Sequence, residues 1–444
     1  MVDPAPTRPL RRALGTGLLG ILVVGDILGA GIYILVGEVA DDVGGLVWLP
    51  FLLAFSLAAL TALSYVELVS RHPHAAGSAH YVDIAFGRPL LTFLVGYVVA
   101  ASAISTAAVV SRAVGGQYLA AFVDVPVAPV AVGTIVVLSA VTWIGISESA
   151  RANAVLTIVE VSGLVLVLIA GAAGLVEGQA EPSRLLEAGR GGLETSGVLA
   201  AVALAFFAYL GFEDVVHLSE EVREPRRSFP RALVGGLAVV GLLYLGVTVS
   251  VSMLVPATTL AGSSAPLLDA LDAGPIPVPS RVFAVIAIVA VTNTALLALT
   301  TASRQIYGLA EKRSIPGLLG RVGRRHTPTI AIVLVAGMAA TLAATGDLRE
   351  LADTTVTLLL AVFAMVNVTV LVARRRIPRR DGRRVDDPFR VATFVPVLGA
   401  GACTGLLVYT LAEGGTGLFV RLGLMLAGGV VLWAVARLRP SVRG

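Results

Sequence analysis

Charge is scarce in this chain. Only 14% of its 444 residues are Asp, Glu, Lys or Arg, against about 25% in a soluble globular domain. So little charge cannot cover a soluble surface, and most of the chain must lie in an apolar solvent. Cysteine is nearly missing as well. Cys403 alone excludes an internal disulfide and any cysteine metal cluster, and in its apolar run it reads as a packed thiol. No Walker motif occurs, so the chain carries no engine for ATP-driven work. Low-complexity stretches are absent, and the longest loops, near 177–195 and 256–279, are too short for a soluble domain. The formal net charge of +4 and a pI near 9.4 do not indicate nucleic acid. The basic residues, nearly all Arg, fall in short clusters between apolar runs rather than on one face.

What the chain does have is apolar length. Hydrophobic residues make up 56% of it and the mean hydropathy is +0.88. A hydrocarbon core takes roughly 20 apolar residues per helix, and such runs recur almost end to end. They predict an all-α polytopic membrane protein with about twelve spans, at 15–38, 44–68, 90–115, 126–145, 153–176, 196–218, 231–255, 280–309, 328–345, 352–373, 391–412 and 417–437. The apolar start after Arg8–Arg12 resembles a secretory signal, but it runs on through Ile32 to Val36 without a small-residue cleavage site. It reads as a retained first span. Arg residues gather at one set of loops: Arg8, Arg11 and Arg12; Arg71 and Arg88; Arg151; Arg223–Arg231; Arg304–Arg325; Arg374–Arg390; and the C-terminus. The other loops hold mainly acids, among them Asp124, Glu177, Asp269, Asp347 and Glu413. By the positive-inside rule both termini, 1–14 and 438–444, are expected in the cytoplasm and the chain in the cell membrane.

Two spans are interrupted alike. The first reads Gly25-Asp26-Ile27-Leu28-Gly29-Ala30-Gly31-Ile32-Tyr33, and the sixth Phe206-Phe207-Ala208-Tyr209-Leu210-Gly211-Phe212-Glu213-Asp214. Each has Leu-Gly at its centre and carboxylates nearby. Glycine in a helix costs about 1 kcal/mol relative to Ala, and a mid-bilayer carboxylate costs roughly 2.5–3.5 kcal/mol on insertion scales. Glycines at i and i+4, such as Gly25 and Gly29, also serve close helix packing. Two matched spans with acids attached point instead to discontinuous helices around a solute site. Freed N–H groups there suit a carboxylate and freed C=O groups an ammonium or cation, and such backbone is tolerated at this depth only in a cavity or packed in protein.

These residues resemble the amino acid–polyamine–organocation superfamily of permeases. Gly29-Ala30-Gly31-Ile32-Tyr33 matches its first-span Gly-x-Gly-Ile-aromatic stretch. Phe206 to Glu213, followed by Glu220-Glu221-Val222-Arg223-Glu224-Pro225, matches its sixth-span region. Tyr65-Val66-Glu67 through Pro73, Gly77 and Tyr81 is similar too, as are Ser303-Arg304-Gln305-Ile306-Tyr307, Ile315-Pro316 and Thr327-Pro328. The resemblance implies a five-plus-five inverted repeat, 15–176 and 196–373, with two further helices in 391–437. It implies secondary active transport of a small amino acid or amine by alternating access, without enzyme chemistry or cofactor. The α-carboxylate would meet backbone around Gly29, Ala30 and Gly31. The amino group would meet carbonyls near Ile27 and in the Phe207, Ala208, Tyr209, Leu210 and Gly211 break, with Phe207 as an aromatic gate. Two residues depart from many relatives: Asp26, on the pocket side of the first break, would attract a cationic group, and Glu160 stands where some relatives carry Lys. Glu160, Glu213 and Asp26 are the candidates for carrying a coupling proton; a satisfied polar residue facing water is the plainer reading of each.

Other motifs are set aside. Gly15-Thr16-Gly17-Leu18-Leu19-Gly20 has dinucleotide-fingerprint spacing but follows an Arg cluster rather than a strand. His72, His74 and His80 have no supporting acids or cysteines, so no metal is expected. Asn367-Val368-Thr369 lies inside a span, where a glycosylation acceptor is unusable. Three other readings stay open: an exchanger, a polyamine or organic amine permease, and a non-transporting membrane sensor on the same scaffold. No feature of the sequence fixes an oligomeric state.

Overall fold

The computed structural model describes residues 14–438 except 73–76, 124, 146–149, 190–193, 220, 264, 326 and 377–388. Arg8, Arg11, Arg12, Pro73, His74, Asp124, Glu220 and most of the Arg374–Arg390 cluster therefore lie outside the described residues.

Helices run nearly the whole length, in the order α1 Thr16–Ile27, α2 Gly31–Val43, α3 Trp48–Arg71, α4 Gly77–Phe86, α5 Pro89–Val114, α6 Gln117–Ala120, α7 Val127–Ile144, α8 Ala150–Glu177, α9 Thr195–Phe207, α10 Pro225–Leu254, α11 Ala257–Leu260, α12 Pro266–Ala273, α13 Ser280–Glu311, α14 Thr329–Thr345, α15 Leu348–Arg376, α16 Phe394–Glu413 and α17 Thr416–Leu438. Among the described residues nine helices are long and apolar enough to cross a bilayer, and α1 with α2 forms one more span bent by 41°. At the expected sixth and ninth spans stand the shorter apolar helices α9 and α14. The only strand-like pairing among the described residues is an isolated bridge, Leu14 with Val222.

Proline and charge set several boundaries. Pro89, Pro225 and Pro266 each open a helix, where the missing N–H would have had no partner anyway. Pro225 starts α10 six residues before the expected 231, so its first turns carry Arg226 and Arg227. α2 runs to Val43, five residues past the expected end, with Glu38, Asp41 and Asp42 in its last turns. Acids at a helix C-terminus oppose the macrodipole. Arg349, at the start of α15, offsets this by pairing with Asp42 at 2.6 Å. The segment 77–86, expected as loop, is a ten-residue helix packed on α5 and α15.

α5 and α13 sit at the centre, packed on each other along their length. Hydrophobic residues surround α5 on every side, as a helix enclosed by others requires. The two broken spans are divided between different neighbours. α1 packs on α10 and α8, whereas α2 packs on α9. At the Arg-rich end, the chain just before α1 is tied to the chain after the second break. Leu14 donates to the Glu221 carbonyl and accepts from Arg223 N–H, both at 3.0 Å, and the Thr16 and Ser228 hydroxyls lie 2.9 Å apart.

One charged group is wholly enclosed at that end. Glu67 of α3, with no exposed side-chain surface, receives two bonds from Arg374 of α15, Nε to Oε1 at 2.8 Å and Nη2 to Oε2 at 2.5 Å. Arg71 adds a contact at 2.9 Å, and Val391 N–H donates to Oε2 at 3.0 Å. Arg374 in turn donates to the Val391 carbonyl and the Thr393 hydroxyl. Three parts of the fold, α3, α15 and the lead into α16, converge on one carboxylate.

Candidate functional site

The first break is short. α1 ends at Ile27, α2 begins at Gly31, and Leu28 to Ala30 bridge them. Leu28 N–H bonds back to Val24 at 2.8 Å and Gly29 N–H to Ile27 at 2.7 Å, closing α1 tightly. α2 starts afresh, so its first N–H groups have no helical carbonyl behind them. The second break is longer: α9 stops at Phe207, and turns carry the chain to a 3₁₀ segment at Val215–Leu218.

The breaks face each other at backbone distance. A Cβ on Gly31 would run into Ala208, meeting its side chain at 2.8 Å, and a Cβ on Gly211 would run into the backbone of Asp26 and Ile27. Gly211 has φ +120, a conformation essentially reserved for glycine. The packing role considered for Gly25 and Gly29 is present too, since Gly25 abuts Thr157 and Gly29 abuts Thr294. Packing brings the breaks together, and the turn chemistry opens them.

Between the breaks lies a cavity with about 80 Å³ open to water centres. That is room for a few waters and well below the roughly 300 Å³ of a ligand pocket. Asp26, Ile27, Gly29, Ala30 and Gly31 line it from the first span, and Phe207, Ala208, Leu210, Gly211, Glu213 and Asp214 from the sixth. Val99, Ser102, Ala103 and Thr106 of α5 form its third wall, at the i, i+3, i+4, i+7 spacing of one helix face. Thr294, Leu297 and Ala298 of α13 and Leu359 of α15 complete it. Three carboxylates thus border a space whose lining, among the described residues, holds no Lys, Arg or His.

Several expected backbone ligands already have partners. Thr294 Oγ1 accepts the Ala30 N–H at 3.0 Å and donates to the Ala290 carbonyl at 3.1 Å. Tyr244 donates its hydroxyl to the Ile27 carbonyl at 3.0 Å. Glu213 accepts the Gly211 N–H at 2.9 Å, which makes it a brace of the turn as well as a lining group. Tyr209 is outside the lining; its ring packs with Phe51, Phe55 and Tyr244. Glu160, on α8, is outside it as well. Asn293 of α13 donates to Glu160 Oε1 at 3.0 Å, and Oε2 is buried with no hydrogen-bond partner among the described residues. Tyr33 ties α2 to the same place, donating to the Glu160 carbonyl at 2.6 Å.

Comparison with known proteins now has a site to refer to. The family model for amino acid permeases matches residues 17–435, from the first turn of α1 to the last of α17, with both breaks inside. The chain belongs to the amino acid permease family. Among relatives of this permease, the branched-chain amino acid permease BcaP of Bacillus subtilis (strain 168) is 28% identical over 84% of this chain and 83% of its own. The methylthioribose transporter of the same organism is 28% identical over 89% and 88%. The vacuolar cationic amino acid transporter 2 of Arabidopsis thaliana is 29% identical over 82% of this chain but 60% of its own length. Near-equal identity to relatives named for such different solutes favours no one solute class over another.

The sequence does not single out Thr294, Ser102 or Thr106, and it offers Asp214 only as an acid near the sixth-span break rather than as a site residue. Asp214 adjoins Glu213 in the broken span and was visible there. The three hydroxyl residues sit in apolar runs where small polar residues commonly bond to the preceding turn, and only tertiary packing separates them from their neighbours.

Proposed function

We propose that this permease carries an amino acid, with a preference for cationic ones, by alternating access across the cell membrane, and that the cavity between the two breaks is its substrate site. The observation that supports this best is the small space between facing backbone breaks, bordered by Asp26, Glu213 and Asp214 and, among the described residues, by no basic side chain. A substrate carboxylate would use the free N–H groups that open α2. Its ammonium would use Asp26 and the carbonyls that end α9. Phe207 serves as the gate, and the Arg-rich end faces the cytoplasm with both termini. The spans 15–176 and 196–373 act as two repeats that move against each other.

A carboxylate and an ammonium 4 Å apart gain about 4 kcal/mol at an effective dielectric near 20. Desolvation removes a substantial part, leaving a preference of about 1–3 kcal/mol, or roughly five- to 150-fold. Competitive binding of arginine, lysine, putrescine, alanine and leucine to wild type and Asp26→Asn is expected to show cations preferred, and the preference reduced by that factor in the variant. Leucine outcompeting every cation on wild type, or an unchanged ranking in the variant, would exclude the role given to Asp26. The same panel tests a second reading. Because Thr294 already holds the Ala30 N–H, an amine without a carboxylate also suits the site, and putrescine above lysine would favour it.

Coupling is assigned to the proton, with Glu160 as the first carrier and Glu213 and Asp26 as alternatives. A carried proton would rest on the Glu160 oxygen that has no partner. In proteoliposomes, uptake is expected to rise with an inward proton gradient, to collapse with a protonophore, and to lose at least tenfold of its proton-driven component in Glu160→Gln. Uptake driven by a sodium gradient alone, with no effect of Glu160→Gln, rejects this assignment.

A further inference from the structure

The central cavity is not the larger opening in the molecule. α2, α5 and α15, which line it at Gly31, Thr106 and Leu359, line a second cavity of about 590 Å³ further along, at Glu38, Arg112 and Asp347 to Arg349. Along α2 the two linings come within three residues, Gly31 to Ile34, about 4.5 Å at 1.5 Å per residue. On α5 the buried Val109 and Val110 lie between the two linings, which share no residue. The volume falls within the range of small-molecule sites, and this one lies at the end away from the Arg-rich loops.

Its charges are of both signs and unequally engaged. Arg349 is occupied by Asp42 at 2.6 Å and reaches Glu38 only at 4.0 Å. Asp347 caps α15, accepting the Glu350 N–H at 2.8 Å. Arg112 makes one described bond, Nη1 to the Ala343 carbonyl at 2.7 Å in the last turn of α14, and forms no ion pair among the described residues. A guanidinium offers five donors in a planar fork suited to a carboxylate, so most of the Arg112 fork remains to be used. Glu38 supplies an acid on the facing helix.

We propose that this vestibule is a second solute site, ahead of the central one, which holds a zwitterionic α-amino acid by its carboxylate on Arg112 and its ammonium on Glu38. The proposal rests on the reading that the permease carries amino acids, and it divides the labour between the two cavities. The vestibule demands a carboxylate and the acid-lined central site demands an amine. A plain structural role for Arg112, capping α14, would affect stability without touching stoichiometry.

The test is equilibrium binding to the purified full chain of radiolabelled L-lysine and of cadaverine, which is lysine without its carboxylate, with alanine and leucine as parallel probes. Wild type is expected to bind two lysines and one cadaverine per chain. Arg112→Gln should weaken the second lysine at least tenfold and leave cadaverine unchanged, Glu38→Gln should weaken the same site, and Arg112→Lys should keep it within about tenfold. Thermal unfolding of each variant identifies any that fails to fold, and Glu38→Gln leaves the Arg112–Ala343 contact untouched. One lysine per chain on wild type, insensitive to Arg112→Gln and Glu38→Gln, overturns the vestibule site and leaves the central reading standing. Binding of none of the amino acids by folded wild type overturns both.

Discussion

Gly211→Ala is expected to abolish uptake while leaving the protein able to reach the membrane. At φ +120 an L side chain is strained by about 1–3 kcal/mol. The added Cβ would also run into the main chain of the first break, 2.8 Å from the Asp26 carbonyl carbon and 3.3 Å from Ile27 N. Main chain cannot rotate out of the way, so one break must shift against the other and the cavity between them must change shape. A displacement of that size should cost well over tenfold in uptake, because positioning in the site depends on fractions of an ångström. Gly17→Ala in α1 is the control: nothing lies within 4 Å of its Cβ, and a helical Ala gains up to about 1 kcal/mol over Gly. Proteoliposome uptake and thermal unfolding of both variants decide the matter. Wild-type uptake by Gly211→Ala would show that the contact between the breaks is not part of the transport machinery.

Glu67→Gln should lower stability by about 3–5 kcal/mol, the cost of leaving a buried charge without its partner. Arg374 is only 8% exposed and draws two of its bonds from this carboxylate. The double replacement Glu67→Met with Arg374→Met should recover most of the loss, because paired removal leaves no orphan charge. A double-mutant cycle by thermal unfolding separates the two cases. If the double variant is as unstable as the sum of the singles, the pair is not the unit that matters and the bonds to Val391 carry the effect.

The spans were legible because a bilayer makes hydropathy a nearly sufficient signal. Ser280–Glu311 and Thr329–Thr345 were placed within two residues. The breaks were legible for the same reason: glycine and acid in an apolar run cost too much to be incidental. Helices outside the hydrocarbon gave no such signal, and α4, with four polar or ionisable side chains in ten residues, reads as loop. The companions of the broken spans were hidden by distance along the chain. Thr294 meets Ala30 across 264 residues, and Arg374 meets Glu67 across 307. Tyr209 shows the opposite case. Its place within the break suggested a substrate contact, but the turn aims its ring at α3 and α10, which periodicity cannot foresee once the helix has stopped.

The short bridge at 28–30 also has a mechanical meaning. α1 has twelve residues, about 18 Å at 1.5 Å per residue, and it joins α2 through three residues, of which Ala30 is held by its bond to Thr294. A tilt of about 10° at the hinge sweeps the far end through about 3 Å, wide enough to admit water. The Leu14–Val222 bridge sits at that far end, so such a tilt would carry the chain after the second break along with it. A single bond near the fulcrum therefore has leverage over a much longer arc, and Thr294 is where a small chemical change would be magnified most.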